Sequence, residues 1–338
     1  MNQAATINSP IRTLVRSSGS VRAIALATLG VAFLPLVLNE YQLQVMWVAF
    51  YLAVLAISWN LVAGYGGMFS LAQHALAALG GYSSAAAVLA IGLPVWAGLL
   101  SGALAAALIG YLLGHATLHL RSVYFAIATW VFGEVVRQLI TLNYEITRGA
   151  MGLAVPHLFA TLKPQPYYYA FLILLCAALM LNAVLLRSKL GYRIQATRDD
   201  EELALANGVD ATRAKRTLFT ISAAMAGLAG AMYGHSVGLL APSQIDFSQM
   251  SLIVIAAVLG GYRTLWGPVL GALLVQGVAE FLRFSQETRL VLFAALLIVV
   301  LRLYPLGLMG ALAYIGSVLR PSAKDASAQQ ALQHPKEE

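Results

Sequence analysis

Residues 187–216 read RSKLGYRIQATRDDEELALANGVDATRAKR, the only long charged segment in an otherwise apolar chain. Seven of the chain's 21 Lys and Arg lie in it (Arg187, Lys189, Arg193, Arg198, Arg213, Lys215 and Arg216), with five of its 14 acids (Asp199, Asp200, Glu201, Glu202 and Asp210). The order is that of a folded element rather than a linker. Asp199 or Asp200 is placed to cap a helix start, Glu201 and Glu202 favour the positive end of that helix, and Gly208 supplies a left-handed stop. Asp210 is placed to cap a second helix that runs into the apolar stretch from Thr217. A short helix, a glycine and a long helix, set between two membrane spans, make a docking element.

The rest of the chain sets the class. With 338 residues, 60% hydrophobic and only 10% charged, it reads as an all-α polytopic membrane protein, because no soluble fold hides that much apolar surface. The net charge of +7 would suggest a nucleic-acid partner in a soluble domain, but membrane topology accounts for it better. The single cysteine, Cys176, excludes an intramolecular disulfide and any redox or metal centre built on cysteines. Arg12, Arg16 and Arg22 precede an apolar run as in a signal peptide, yet Asn39, Glu40 and Tyr41 follow it with no small-residue cleavage pattern, so that run is kept as a span.

At about 20 apolar residues per crossing, about ten transmembrane helices are expected: 22–38, 43–63, 68–91, 95–117, 122–142, 167–187, 217–239, 249–262, 268–283 and 289–304. The eighth and ninth are short and flank the Gly/Pro-rich turn from Gly260 to Pro268. With the loop at 188–216 placed in the cytoplasm, between spans six and seven, both termini are cytoplasmic. Sixteen Lys and Arg then lie inside and five outside (Arg137, Arg148, Lys163, Arg283 and Arg289), as the positive-inside rule requires. The expected organisation is a cytoplasmic arm at 1–21, a transmembrane domain at 22–320 and a disordered cytoplasmic tail at 321–338. The longest outer loop, 143–166, ends in Tyr167-Tyr168-Tyr169, which suits an interfacial belt.

Gly227, Gly230, Gly234 and Gly238 stripe the seventh span at spacings that let helices approach closely, and plain packing is the preferred reading. Two echoes hint at a repeat. Leu79-Gly80-Gly81-Tyr82 recurs as Leu259-Gly260-Gly261-Tyr262, and Glu134-Val135-Val136-Arg137 resembles Glu280-Phe281-Leu282-Arg283. Their offsets, 180 and 146 residues, do not define one duplication.

The chemistry-bearing residues exclude several classes. No phosphate-cradling Gly-x-x-x-x-Gly-Lys-Ser/Thr segment occurs, so ATP, if it drives the protein, is bound by partner chains, and no cofactor is expected here. Nothing resembles a nucleophile with its base, so no enzyme activity is expected. The six histidines form no metal constellation; His115 and His119 lie four apart without a third ligand. Glu134 with Arg137, and Glu280 with Arg283, sit three apart near span ends, where each arginine has a glutamate to pair with. A proton-coupled secondary transporter using Glu134 and Glu280 is the rival reading, and it lacks an unpaired acid nearer the midplane. The stretch from Trp59 to His74 carries three glycines in four positions (Gly64, Gly66, Gly67), then Ser70, Gln73 and His74. Irregular backbone survives in lipid only where protein or a wet path satisfies it, so Asn60, Tyr65, Ser70, Gln73 and His74 are candidates to line a solute path. A tight cytoplasmic turn is the plainer alternative.

The segment Asn60-Leu61-Val62-Ala63-Gly64-Tyr65-Gly66-Gly67 with Ser70-Leu71 resembles a signature of LivM-type permeases, the membrane subunits of branched-chain amino acid ABC importers. The resemblance continues through Tyr124-Phe125-Ala126 and Phe132-Gly133-Glu134. It is densest from Gly191 through Arg193, Arg198, Asp199, Asp200, Glu201 and Glu202 to Ala204, Gly208 and Val209. It includes Gly260–Pro268, where Arg263 and Trp266 replace small residues, and spans roughly residues 45–310 in all. It implies a multi-pass subunit of the bacterial inner membrane, paired with a LivH-type second permease, two ABC ATPase subunits and a periplasmic solute-binding protein. It also implies that 198–208 rests in a groove of the ATPase. The implied solutes are branched-chain or related amino acids, with urea, short amides or small aromatic acids as alternatives. Ser70-Leu71-Ala72-Gln73-His74-Ala75 departs from the family's Ser-Leu-Gly-His-Ala by one residue.

Overall fold

The computed structural model describes residues 30–120 and 122–281, with scattered positions between 291 and 310. Helix α1 spans Glu40–Asn60 and continues as a π turn over Leu61–Tyr65. It is followed by α2 (Gln73–Ile91), α3 (Val95–Thr117), α4 (Ser122–Leu142) and the single turn α5 (Tyr144–Thr147). After a loop come α6 (Pro164–Arg187), α7 (Lys189–Asp199), α8 (Glu201–Ala206), α9 (Ala211–Val237), α10 (Phe247–Gly261) and α11 (Gly267–Phe281). Two-residue strands, β1 (Leu153–Ala154) and β2 (Leu239–Leu240), pair antiparallel with Leu153 opposite Leu240.

Among the described residues, six helices are long and apolar enough to cross a membrane: α1 with its π turn, α2, α3, α4, α6 and α9. Helices α10 and α11 have 15 residues each, about 22 Å at 1.5 Å per residue, short of a hydrocarbon core of about 30 Å. The expected span 289–304 lies largely outside the described residues, and the arm at 1–21 and the tail at 321–338 lie wholly outside them. Two expected spans are corrected. Of 22–38, residues 30–38 are described, and the helix ends at 32, after which Pro35 starts a 3-10 turn over Leu34–Leu36. The third, read as 68–91, becomes helical only at Gln73, and Gly66–Ala72 is not helical. Its apolar side chains raise hydropathy whether or not the backbone is wound.

The core forms where backbones meet. Helix α9 packs on α2 and α3, and a Cβ at Gly80 would strike the Gly227 backbone, at Gly230 the Ala77 backbone, and at Gly102 the Gly80 carbonyl. The glycine stripe is therefore a packing surface. It brings helices to backbone contact, where dispersion and not water exclusion holds them. Helix α1 meets α9 through stacked Tyr51 and Tyr233 and meets α6 through stacked Trp47 and Phe171. Tyr167 and Tyr168 are buried rather than set in an interfacial belt, because their hydroxyls find backbone acceptors: Thr161 O at 3.1 Å and Val31 O at 2.6 Å.

An inverted repeat emerges that the echoed motifs did not reveal. A long helix, a non-helical break, a second helix, a short turn and a third helix occur twice, as α1-α2-α3 and as α9-α10-α11. The paired helices start 171, 174 and 172 residues apart. The first copy runs α1 toward the Gly64 end of the bundle. The second runs α9 away from it, as the pairing of Ser222 with Ser58 near one end and of Tyr233 with Tyr51 near the other shows.

Candidate functional site

The charged segment folds as its caps dictate. Asp200 accepts from Leu203 N at 2.9 Å to begin α8, and Asp210 accepts from Arg213 N at 2.8 Å to begin α9. Gly208 lies between them at φ 78, in the left-handed region that stops a helix. An unexpected helix precedes them: α7, whose Ser188 side chain accepts from Gly191 N at 3.3 Å. Gly191 is needed there, since a Cβ would strike the Leu185 and Leu186 carbonyls.

This segment is bound to the Gly64 end of the bundle by two cations. Lys215 donates to both Glu201 carboxylate oxygens at 2.8 Å, tying α8 to α9. Arg198 pairs with Asp199 and passes beneath the glycine turn, its aliphatic stem at the Gly67 backbone. Gly67 has φ 70, and a Cβ there would press on Arg198 Cγ. Of the residues expected to couple, Arg193, Asp199, Asp200, Glu201, Glu202 and Gly208 are exposed, while Gly191 and Ala204 are buried. The charge-led reading missed Leu203 and Leu205, which are 60% and 55% exposed on α8. Apolar side chains left in water on a short charged helix are what a protein partner would cover.

The five candidate path residues divide into two groups. Asn60 and Tyr65 belong to the turn. Asn60 accepts from Arg263 N at 2.9 Å and donates to Thr264 O at 3.0 Å, so it holds the α10–α11 turn. Ser70, Gln73 and His74 lie deeper. From Gly66 the chain doubles back beside α1, and Trp59 Nε1 donates to Ser70 O at 2.7 Å. Leu71 N donates to Thr129 Oγ1 at 3.0 Å and Ala72 N to Ser70 Oγ at 3.2 Å, which satisfies unwound backbone from within the protein. Gln73 Nε2 donates to Ser222 Oγ at 3.0 Å, and Ser222 Oγ donates to Ser58 O at 2.8 Å.

The second break comes from the opposite end. After α9 the chain passes Tyr82, whose hydroxyl donates to Leu240 O at 3.2 Å, and turns through Pro242–Ile245 until the Ile245 backbone abuts the His74 ring. Tyr82 and His74 are eight residues apart on α2, so the segment descends about 12 Å along that helix. The two breaks therefore converge on the first turn of α2, where Ala72 offers no side-chain cap and Gln73 Oε1 and His74 Nδ1 have no hydrogen-bond partner among the described residues. At the opposite end His235 bridges Ser84 Oγ (3.0 Å) and Pro156 O (2.7 Å), fastening the 143–163 loop to α2 and α9. His115 contacts Arg216 at 3.2 Å, and Arg216 lies over the Tyr111 ring.

Comparison with known proteins agrees with this architecture. The family model described as "Branched-chain amino acid transport system / permease component" matches residues 41–301. The chain is 30% identical over 315 residues to the permease protein LivM of the Escherichia coli (strain K12) high-affinity branched-chain amino acid transport system, covering 85% of this chain and 74% of that one. It is 29% identical over 287 residues to the permease protein LivH of Salmonella typhimurium, covering 76% of this chain and 91% of the relative. A 127-residue stretch is 34% identical to the permease protein BraD of Pseudomonas aeruginosa, covering 37% of this chain and 41% of that one. No solved structure matches. With a model match over most of its length and apolar helices to fit, this multi-pass membrane protein belongs to the permease-component family of branched-chain amino acid transport systems.

Proposed function

We propose that the chain is one of two permease subunits of an ATP-driven importer for branched-chain or related amino acids in the bacterial inner membrane. A LivH-type chain is its sister, a periplasmic binding protein delivers solute, and two ATPase subunits bind the ATP. The charged end then faces the cytoplasm, both termini lie on that side, and α8 is the coupling helix. The observation that carries this reading is the α7–α8–Gly208–α9 element. It is capped, ion-paired within itself and seated under the glycine turn by Arg198, yet it leaves Leu203, Leu205 and Glu202 outward there. The rival secondary transporter is disfavoured because Glu134 is already bound by Arg137.

Purification of the chain from its native membrane in gentle detergent tests the reading. A second permease and ATPase chains should co-purify, and vesicles with the binding protein should import a branched-chain amino acid only with ATP. Recovery of the chain alone, with uptake driven by an ion gradient, would refute it.

A further inference from the structure

Glu134 and Arg137 lie one turn apart on α4, with Arg137 Nε 3.0 Å from Glu134 Oε2. Within Ser122–Leu142, Glu134 stands about 18 Å from one helix end and 12 Å from the other, so it lies inside the hydrocarbon thickness rather than near a span end, where the sequence places it. The described residues do not enclose the pair. The glutamate and arginine side chains are 46% and 30% exposed, among exposed Trp130, Val131, Val135 and Leu139. The apolar neighbours tolerate lipid. A charge at this depth does not, costing about 2.5–3.5 kcal/mol on insertion scales, so a polar or wet surface must cover it.

The inner face of α4 seats on the converging breaks. Thr129 holds Leu71, and Gly133 brings the α4 backbone against the His74 ring. Arg137 lies within electrostatic range of Asp246, the residue from which α10 starts. One wall of a passage is thus present: two unwound segments behind, and an acid and a base in front.

We infer that this face of α4 meets the second permease chain, that the seam between them is the solute path, and that Glu134 and Arg137 receive the ammonium and carboxylate of a zwitterionic amino acid. The inference rests on the importer reading above. A zwitterion can exchange with an ion pair without leaving either charge unmatched, whereas a neutral amide cannot.

The test uses the whole importer. Cys176 is the only native cysteine, so Cys176→Ser gives a background for single cysteines. Val135→Cys should react with a charged, membrane-impermeant thiol reagent at least tenfold faster than Leu181→Cys on exposed α6, and import of amino acid should slow that reaction. Equal rates in a complex that imports normally would overturn the seam. Glu134→Gln and Arg137→Gln should each lower the maximal uptake rate tenfold or more, with half-saturation by loaded binding protein unchanged. The exchanged pair, Glu134→Arg with Arg137→Glu, should stay slow; full recovery would make the pair a structural brace and overturn the zwitterion role. If the unaltered complex imports no amino acid, the functional reading fails and the zwitterion role with it, while thiol labelling still reports separately on the seam.

Discussion

Asn60 and Arg263, 203 residues apart, are joined by a hydrogen bond from the Arg263 backbone N–H to the Asn60 side-chain oxygen at 2.9 Å. The same side chain donates to Thr264 O at 3.0 Å, so one amide spans the turn between α10 and α11 from both sides. Arg263 sits at φ 65, uncommon for a residue with a Cβ, and the Asn60 contact helps hold it there. The side chain is buried at the foot of α1, so its partners have little water to fall back on.

Asn60→Leu should therefore destabilise the protein by about 1–3 kcal/mol, the cost of leaving a buried donor and acceptor unmatched. Asn60→Asp should cost at least as much, because its carboxylate still accepts from Arg263 N but sets a buried charge against the Thr264 carbonyl oxygen. Thermal unfolding of the detergent-purified chain, with protease cleavage at 262–266 as a local probe, measures both.

Gly67 and Gly208 both occupy positive φ, but their surroundings differ. A Cβ at Gly208 meets nothing within 4 Å, whereas one at Gly67 presses on Arg198 Cγ at 2.8 Å. Gly208→Ala should cost only the backbone strain, about 1 kcal/mol, and leave uptake nearly intact. Gly67→Ala should cost more and displace Arg198, lowering ATP-coupled uptake several-fold. Equal uptake by the two variants would show that Arg198 beneath the turn plays no part in transmission.

Glu201 faces Lys215 at 2.8 Å while Glu202 is exposed, so the two acids should separate on mutation. Glu201→Lys should loosen α8 from α9 and reduce uptake, and adding Lys215→Glu should restore most of it. The Glu201→Lys, Glu202→Lys double variant should insert normally but uncouple transport. Uptake and retention of ATPase after detergent extraction report these outcomes.

Leu203→Glu and Leu205→Glu should leave the stability of the isolated chain within about 0.5 kcal/mol, since both side chains already face solvent. Each should nevertheless weaken ATPase co-purification at least tenfold. Full retention in both variants would sink the docking role of α8.

His235→Ala should remove the bridge between Ser84 and Pro156 and leave the buried Ser84 hydroxyl without that partner. A loss of about 1–3 kcal/mol is expected, with earlier proteolysis of the 143–163 loop than of the helices.

What could be read in the residues follows the range of the interactions. The caps at Asp200 and Asp210 and the stop at Gly208 act over three or four residues, so the charged element is legible in order and nearly in register. The break at Gly66–Ala72 is legible at its glycines but not in its length. Met68, Phe69 and Leu71 score as a span, and only Trp59 reaching Ser70 and Thr129 reaching Leu71 show that the chain is unwound there. The candidate path residues stand out by polarity beside a glycine cluster, which groups Asn60, a clamp on a turn 203 residues away, with Gln73 and His74. The Leu-Gly-Gly-Tyr echo misaligned the repeat because its glycines serve different neighbours. Gly80 lets α2 meet α9 at mid-helix, while Gly260 lets the end of α10 meet Gly267 and Gly271.

The two breaks start at opposite ends of the bundle and finish side by side at His74, yet their fastenings are unlike. One half is latched by Asn60 on the α10–α11 turn; the other is closed over by the 143–163 loop through His235. Two halves of like build held in unlike postures are a record of two shapes in one chain. Threading each half through the other's coordinates would draw the molecule's opposite posture, with the latch released at one mouth and a new closure at the other. Distances measured by paired spin labels on α1 and α9 would then be expected to trade values over the transport cycle, as the pans of a balance trade heights.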